Sequence, residues 1–280
     1  MSTYRLKNNA IFQYIYVYYL ALGFLLFFFG FNQILKINPG LIINSSAALI
    51  PFNGLPVKSF AIINASLLLL LLLISRKFLH LQLYRILIFI LFVFFEDLYN
   101  TSGLKTNLFL FWFWSLLALC FLPNLSKKSD MRRFYYLVWT VWFQRSIVLS
   151  FYFLSGLWKL IGMFMQMFNG EDHILTYKGL SYHLASEIIR TQNRSYLADL
   201  IFENTWMNPV MMFSALAIQL SAIYFIFRQE YIWLMGLGLL LFHFGGLFAL
   251  SIPYPTNFLL VAVLFLLNPL VDSESTNLRR

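Results

Sequence analysis

Arg132 to Gly170 reads RRFYYLVWTVWFQRSIVLSFYFLSGLWKLIGMFMQMFNG, and the reading of this stretch decides the fold. It opens on a basic pair and is apolar enough and long enough to cross a bilayer. Yet it carries Arg145 near its middle and Lys159 towards its far end. An ionisable side chain at the centre of a membrane helix costs about 2.5 to 3.5 kcal/mol on insertion scales, so such groups face a bundle interior or a wet cavity. Fourteen residues along a helix correspond to about 320° of rotation and about 21 Å of rise. The two cations therefore share roughly one face at different depths, and function is sought on that face.

The rest of the chain is built of the same material. Of its 280 residues, 60% are hydrophobic, 20% aromatic and only 11% charged, against about 25% charged in a soluble domain. Thirty-two Phe and 16 Tyr suit lipid-facing helices with interfacial aromatic belts. The net charge of +9 does not form a nucleic-acid patch. Its basic residues sit in short segments between apolar runs, as topology and anionic headgroups require. Cys120 is the single cysteine, so no intrachain disulfide is possible. Arg5 and Lys7 precede an apolar run from Ala10 to Leu35, longer than the roughly 7 to 15 residues of a signal-peptide core. It is expected to be a retained first span.

Eight spans are predicted in an all-α integral membrane protein. They are Ile11–Leu35, Ser59–Ile74, Leu81–Leu98, Asn107–Leu122, the central stretch, Trp206–Phe227, Tyr231–Leu250 and Tyr254–Leu270. The loop with Pro39, Asn44, Pro51, Asn53 and Pro56 is long enough to dip back towards the membrane. The seven leucines Leu67–Leu73 read as lipid contact. The fourth span is short for a bilayer of about 30 Å. Residues 1–271 form one transmembrane domain, and Asp272–Arg280 is a polar tail. The clusters Arg76-Lys77, Lys127-Lys128, Arg132-Arg133 and Arg279-Arg280 all fall on one side if both termini are cytoplasmic. That orientation puts Lys159, Glu96, Asp97 and the polar segment 170–205 on the outer side of a cell membrane.

Each candidate residue has two readings. Ser155 and Gly156, four and three residues before Lys159, leave room on its face for a ligand or a neighbouring helix. A lysine in a desolvated pocket can act as base or nucleophile; alternatively, it snorkels to the outer headgroups. Arg145 is a binding group for an anionic substrate, or a structural group that clamps helix carbonyls or pairs with Glu96 or Asp97. His243 is a proton-handling imidazole or a satisfied core histidine, and Gly245 and Gly246 suggest close backbone approach beside it. His183 and Glu187 are four apart, too few for a zinc site. Serine-hydrolase, phosphate-loop and dinucleotide fingerprints are missing from the sequence. Tyr177–Leu200 reads as an interfacial helix or a lid.

The run Tyr152-Phe153-Leu154-Ser155-Gly156-Leu157-Trp158-Lys159-Leu160 resembles the transmembrane region of the vitamin K-dependent gamma-carboxylase family, the HTTM (horizontally transferred transmembrane) domain. The family's run has small-Gly-x-Lys-Lys-Leu. Lys159 matches its second lysine, the proposed base, and Trp158 replaces the first. Phe242-His243 followed by Leu247–Ile252 resembles the family's Phe-His segment. The departure is at Asn107-Leu108-Phe109-Leu110, where Leu108 stands in place of the family's histidine. The family's large lumenal domain has no counterpart in this sequence, so glutamate carboxylation itself is not expected.

The resemblance implies a membrane enzyme, or its remnant, that takes a quinone, quinol or lipid-like ligand into the outer half of the bundle. Lys159 would be the base, His243 its proton partner, and Arg145, Ser155 and Gly156 the substrate-binding group. The alternative from another class is a non-catalytic subunit that anchors or assembles a larger complex with membrane or periplasmic proteins. A transporter is a third reading, weakened by the lack of an internal repeat.

Overall fold

The computed structural model describes residues 3–43, 52–101, 109–125, 128–191, 194–250 and 255–267. Leu108, Asn44, Pro51, Lys105, Lys127, Tyr254, the tail 272–280 and the side chains of Arg5, Glu187 and Arg190 lie outside the described residues. All regular elements among those described are helices: α1 (Thr3–Leu25), α2 (Phe31–Leu35), α3 (Val57–Phe78), α4 (Gln82–Thr101), α5 (Leu110–Cys120), α6 (Asp130–Phe168), α7 (Gly179–Thr191), α8 (Tyr196–Glu203), α9 (Met207–Phe227), α10 (Ile232–Leu250) and α11 (Pro255–Val261). A π-helical turn, Leu26–Gly30, joins α1 to α2, and another, Ala262–Leu266, follows α11.

Among the described residues, five stretches are long and apolar enough to cross a membrane: Lys7–Leu35, Val57–Phe78, Asp130–Phe168, Met207–Phe227 and Gln229–Ala249. Leu110–Cys120 and Thr256–Leu266 are apolar but shorter. At 1.5 Å per residue α5 is only about 16 Å long, well under the hydrocarbon thickness. The protein is thus a helical chain with several membrane-compatible helices.

The chain divides into two compact units, 1–145 with 267–280, and 146–266. In the first, α1 buries Ile11, Tyr14, Ile15, Tyr18, Leu22 and Leu25, an i, i+3/i+4 stripe. α3 does the same with Ala61, Ala65, Leu68 and Leu72. This corrects the reading of Leu67–Leu73 as uniformly lipid-facing. Leu68 and Leu72 are fully buried while Leu67, Leu70 and Leu73 are 44%, 55% and 56% exposed, because 3.6-residue periodicity sends a run of identical residues to both sides. Asn64 on the buried stripe donates to the Leu91 carbonyl at 3.0 Å, tying α3 to α4.

Arg85 is the polar anchor of this unit and is 1% exposed. Its guanidinium donates to the carbonyls of Leu79, Leu119, Leu122 and Pro123. These carbonyls lie at or just beyond the C-terminal ends of α3 and α5, where intrahelical donors run out, although Leu119 also accepts from the Leu122 N–H. Arg85 thus makes a carbonyl clamp of the kind considered for Arg145.

In the second unit, α6 is closed at its C-terminus by Gly170, at φ 72°. The Gly170 N–H donates to Met167 and the Glu171 N–H to Gln166, the paired bonds of a Schellman stop that needs a left-handed residue. The polar segment then folds into α7 and α8, two helices where one was expected. Leu180, Leu184, Ala198, Ile201 and Ala249 form their common core. Asn208 pins α7 to the start of α9, its Oδ1 accepting from the Ser181 N–H at 2.7 Å and hydroxyl at 2.9 Å. Ser195 caps α8 by accepting from the Ala198 N–H at 3.1 Å, and its hydroxyl donates to Ala249 at 3.0 Å. Ser195→Ala is expected to cost about 1 kcal/mol, seen as faster amide hydrogen exchange confined to the first turn of α8.

Candidate functional site

The site is built on one face of α6. Tyr152, Gly156 and Lys159 follow one another at i, i+4 and i+7, so a single helical stripe carries all three. α9 crosses that stripe at Gly156. A Cβ placed on Gly156 would lie 2.9 Å from the Gln219 Cβ and 3.3 Å from the Leu220 amide nitrogen. The room that Gly156 provides is thus taken by a neighbouring helix, the second of the two options open from sequence. Close approach brings Gln219 within reach of Lys159, whose ammonium donates to Gln219 Oε1 at 2.9 Å. The Lys159 Nζ also sits 5.7 Å from the centroid of the Phe242 ring. Lys159 is half-buried, so both interactions act with reduced screening.

α10 brings the other half. His243 is 5% exposed and Tyr152 3%, and a 2.6 Å hydrogen bond joins Tyr152 Oη to His243 Nε2. Phe242 contacts Tyr152 edge-on, with ring centroids 6.5 Å apart. Phe258 of α11 packs on the imidazole at 5.7 Å. Phe242 is the hinge of the arrangement: Lys159 lies over it and the Tyr152–His243 pair lies against it. A lysine and a histidine predicted separately are therefore neighbours across one aromatic ring. The set offers an ammonium or amine, a phenol and an imidazole beside apolar surface, the equipment needed to bind a carbonyl or phenolic oxygen and exchange a proton with it.

The remaining candidates fall elsewhere. Ser155 is exposed. Arg145 is fully buried in the first unit, its guanidinium carbon 5.8 Å from the centroid of the Tyr14 ring. The Tyr14 ring is a partner that the sequence reading did not consider. Among the described residues, a Cβ placed on Gly245 or Gly246 would meet nothing within 4 Å, so the close approach expected beside His243 is not found there. The tight contact in α10 is at Gly236, where a Cβ would come within 2.8 Å of the Phe265 Cβ.

Tyr152 and Gln219 were not singled out from sequence. Tyr152 had a usable signal, its heptad spacing from Lys159. Gln219 is an amide inside an otherwise apolar span, a signal of the same kind as Arg145 and Lys159.

Enlarging Gly156 tests the crossing. Gly156→Leu must displace α9 and is expected to cost about 1 to 3 kcal/mol, with a lower midpoint of thermal unfolding in detergent. Gly162→Leu on the same helix, where nothing lies within 4 Å, is expected to leave the midpoint unchanged.

No protein-family model, no curated protein and no solved structure matches the chain.

Proposed function

We propose that this protein is a multi-pass membrane protein resembling the gamma-carboxylase transmembrane domain, and that its second unit binds a quinone, quinol or lipid-like ligand beside Lys159. Eight spans with both termini cytoplasmic are the arrangement we favour, with the site in the outer half of the membrane. The observation that carries the reading is the convergence of Lys159 and the Tyr152–His243 pair on Phe242. In this reading Lys159, as the neutral amine that still donates an N–H to Gln219, is the base that takes a proton from a phenolic ligand. The Tyr152–His243 pair would hydrogen-bond a ligand oxygen on the other side of Phe242, and the proton would stay on Lys159 until the ligand leaves. Glutamate carboxylation is not proposed, because Leu108 stands where the family has a histidine.

A second reading is supported by the Lys159–Gln219 bond itself. A lysine already satisfied at a glycine crossing is a helix-packing device, as a non-catalytic subunit assembling a larger complex would use. Lipid and membrane-protein partners suit that reading.

The test is binding of decyl-benzoquinone to purified protein in nanodiscs, followed by calorimetry. Saturable binding is expected, weakened about tenfold by Tyr152→Phe through loss of a hydrogen bond of about 1.4 kcal/mol. Binding that is linear with quinone concentration, or equal in wild type and Tyr152→Phe, contradicts the ligand reading.

A further inference from the structure

We propose that the outward face of α6 is the seam of a homodimer, in which the α6 helices of two copies of this chain pair in parallel. Ser150, Leu154, Leu157, Ile161, Phe164 and Phe168 follow one another at alternating steps of four and three residues, the d and a lines of a left-handed coiled coil. Leu154, Trp158, Ile161, Phe164 and Met165 are exposed, and Phe168 is 89% exposed. The Ser150 hydroxyl donates to the Ser146 carbonyl at 2.8 Å, so Ser150 adds a small side chain to the seam and no unmet polar group. Tyr152 and Lys159 fall on the f line of the same heptads and Gly156 on the c line, away from a and d. α6 therefore turns one face to the candidate site and the opposite face outward.

Lipid can cover only part of that outward face. α6 has 39 residues, about 58 Å at 1.5 Å per residue. Even at a tilt of about 40°, the upper end for membrane helices, it spans about 45 Å against about 30 Å of hydrocarbon. Arg132 and Arg133 mark one end as a headgroup boundary, so the surplus falls at the other, where Phe164, Met165, Met167 and Phe168 are exposed. Contiguous apolar surface outside hydrocarbon marks a protein interface. A second copy fits it. Copies that cross the bilayer in the same direction bring identical faces together about a two-fold axis, each seam residue near its own counterpart. Such a pairing tolerates no charge, and from Ser146 to Phe168 the one charged residue is Lys159, on the far face. Leu154, Leu157, Trp158, Ile161, Phe164, Met165 and Phe168 from each copy, at on the order of 75 Å² a side chain, cover about 1,000 Å² in the pair, the size at which interfaces become specific.

Cysteine cross-linking in native membranes tests the seam, in a Cys120→Ala background that removes the chain's single cysteine. Oxidation is expected to link Leu157→Cys, Ile161→Cys and Phe164→Cys into a species of twice the chain mass. The yield at Ile161→Cys is expected to exceed that at Gly162→Cys by about tenfold, since a and d side chains face their counterparts and b side chains do not. No dimer at any seam position overturns the proposal. So do equal yields at Ile161→Cys and Gly162→Cys, which mark random collision, and adducts of another mass in place of the dimer, which mark a different partner.

Discussion

Arg85→Met is expected to destabilise the first unit by at least about 3 kcal/mol, the largest of the stability losses predicted for this protein. The side chain keeps its length and apolar stem, so packing loss is small. What is lost is the donor set for the carbonyls of Leu79, Leu119, Leu122 and Pro123. A buried acceptor left without a partner costs about 1 to 3 kcal/mol. The midpoint of thermal unfolding in detergent is the measurement. Arg85→Lys is expected to rescue little, because an ammonium cannot span carbonyls from the ends of two helices as a planar guanidinium does. Arg228→Ala, at an exposed cation paired 3.6 Å from Glu230, is the control and is expected to change stability by less than about 0.5 kcal/mol. Equal melting temperatures for Arg85→Met and wild type would show that water replaces the clamp.

Gln219→Leu is expected to produce the second largest effect, a loss of about 2 kcal/mol, since a hydrogen bond to a charged group is worth about 1.5 to 3 kcal/mol. Leucine fills the volume but leaves the half-buried Lys159 ammonium without its 2.9 Å acceptor. Adding Lys159→Met to Gln219→Leu should restore most of that loss, because two apolar side chains at a helix crossing replace a polar pair at little cost. A double-mutant cycle on thermal unfolding isolates the coupling. Additive effects would mean that the two residues do not interact in the folded protein.

Much of the frame was legible in the sequence, for a physical reason. Apolar runs long enough to cross a bilayer have few other fates, so α6 was found within two residues at each end, and its stop coincides with a glycine that the left-handed φ requires. Intramembrane charge is costly, which is why Lys159 and His243 stood out before any geometry was known. Non-local partners were not legible. Arg85 sits four residues into a predicted span and was not singled out from sequence. Its carbonyls come from residues up to 38 positions away in sequence, and no local pattern reports them. Gly245 and Gly246 look like a close contact by composition, but which glycine faces a neighbour depends on helix rotation. That rotation chose Gly156 and Gly236. The eight-span count depended on treating short apolar runs as crossings, and α5 shows how short such a run can be.

The most direct test of the ligand-binding account is native mass spectrometry of the protein extracted gently from its own membrane, comparing wild type with Lys159→Ala. The account predicts a bound quinone-like or lipid mass in the wild type that is lost in the variant, with both proteins folded. Partner proteins retained equally by both, with no small ligand on either, would contradict it and leave a structural membrane subunit.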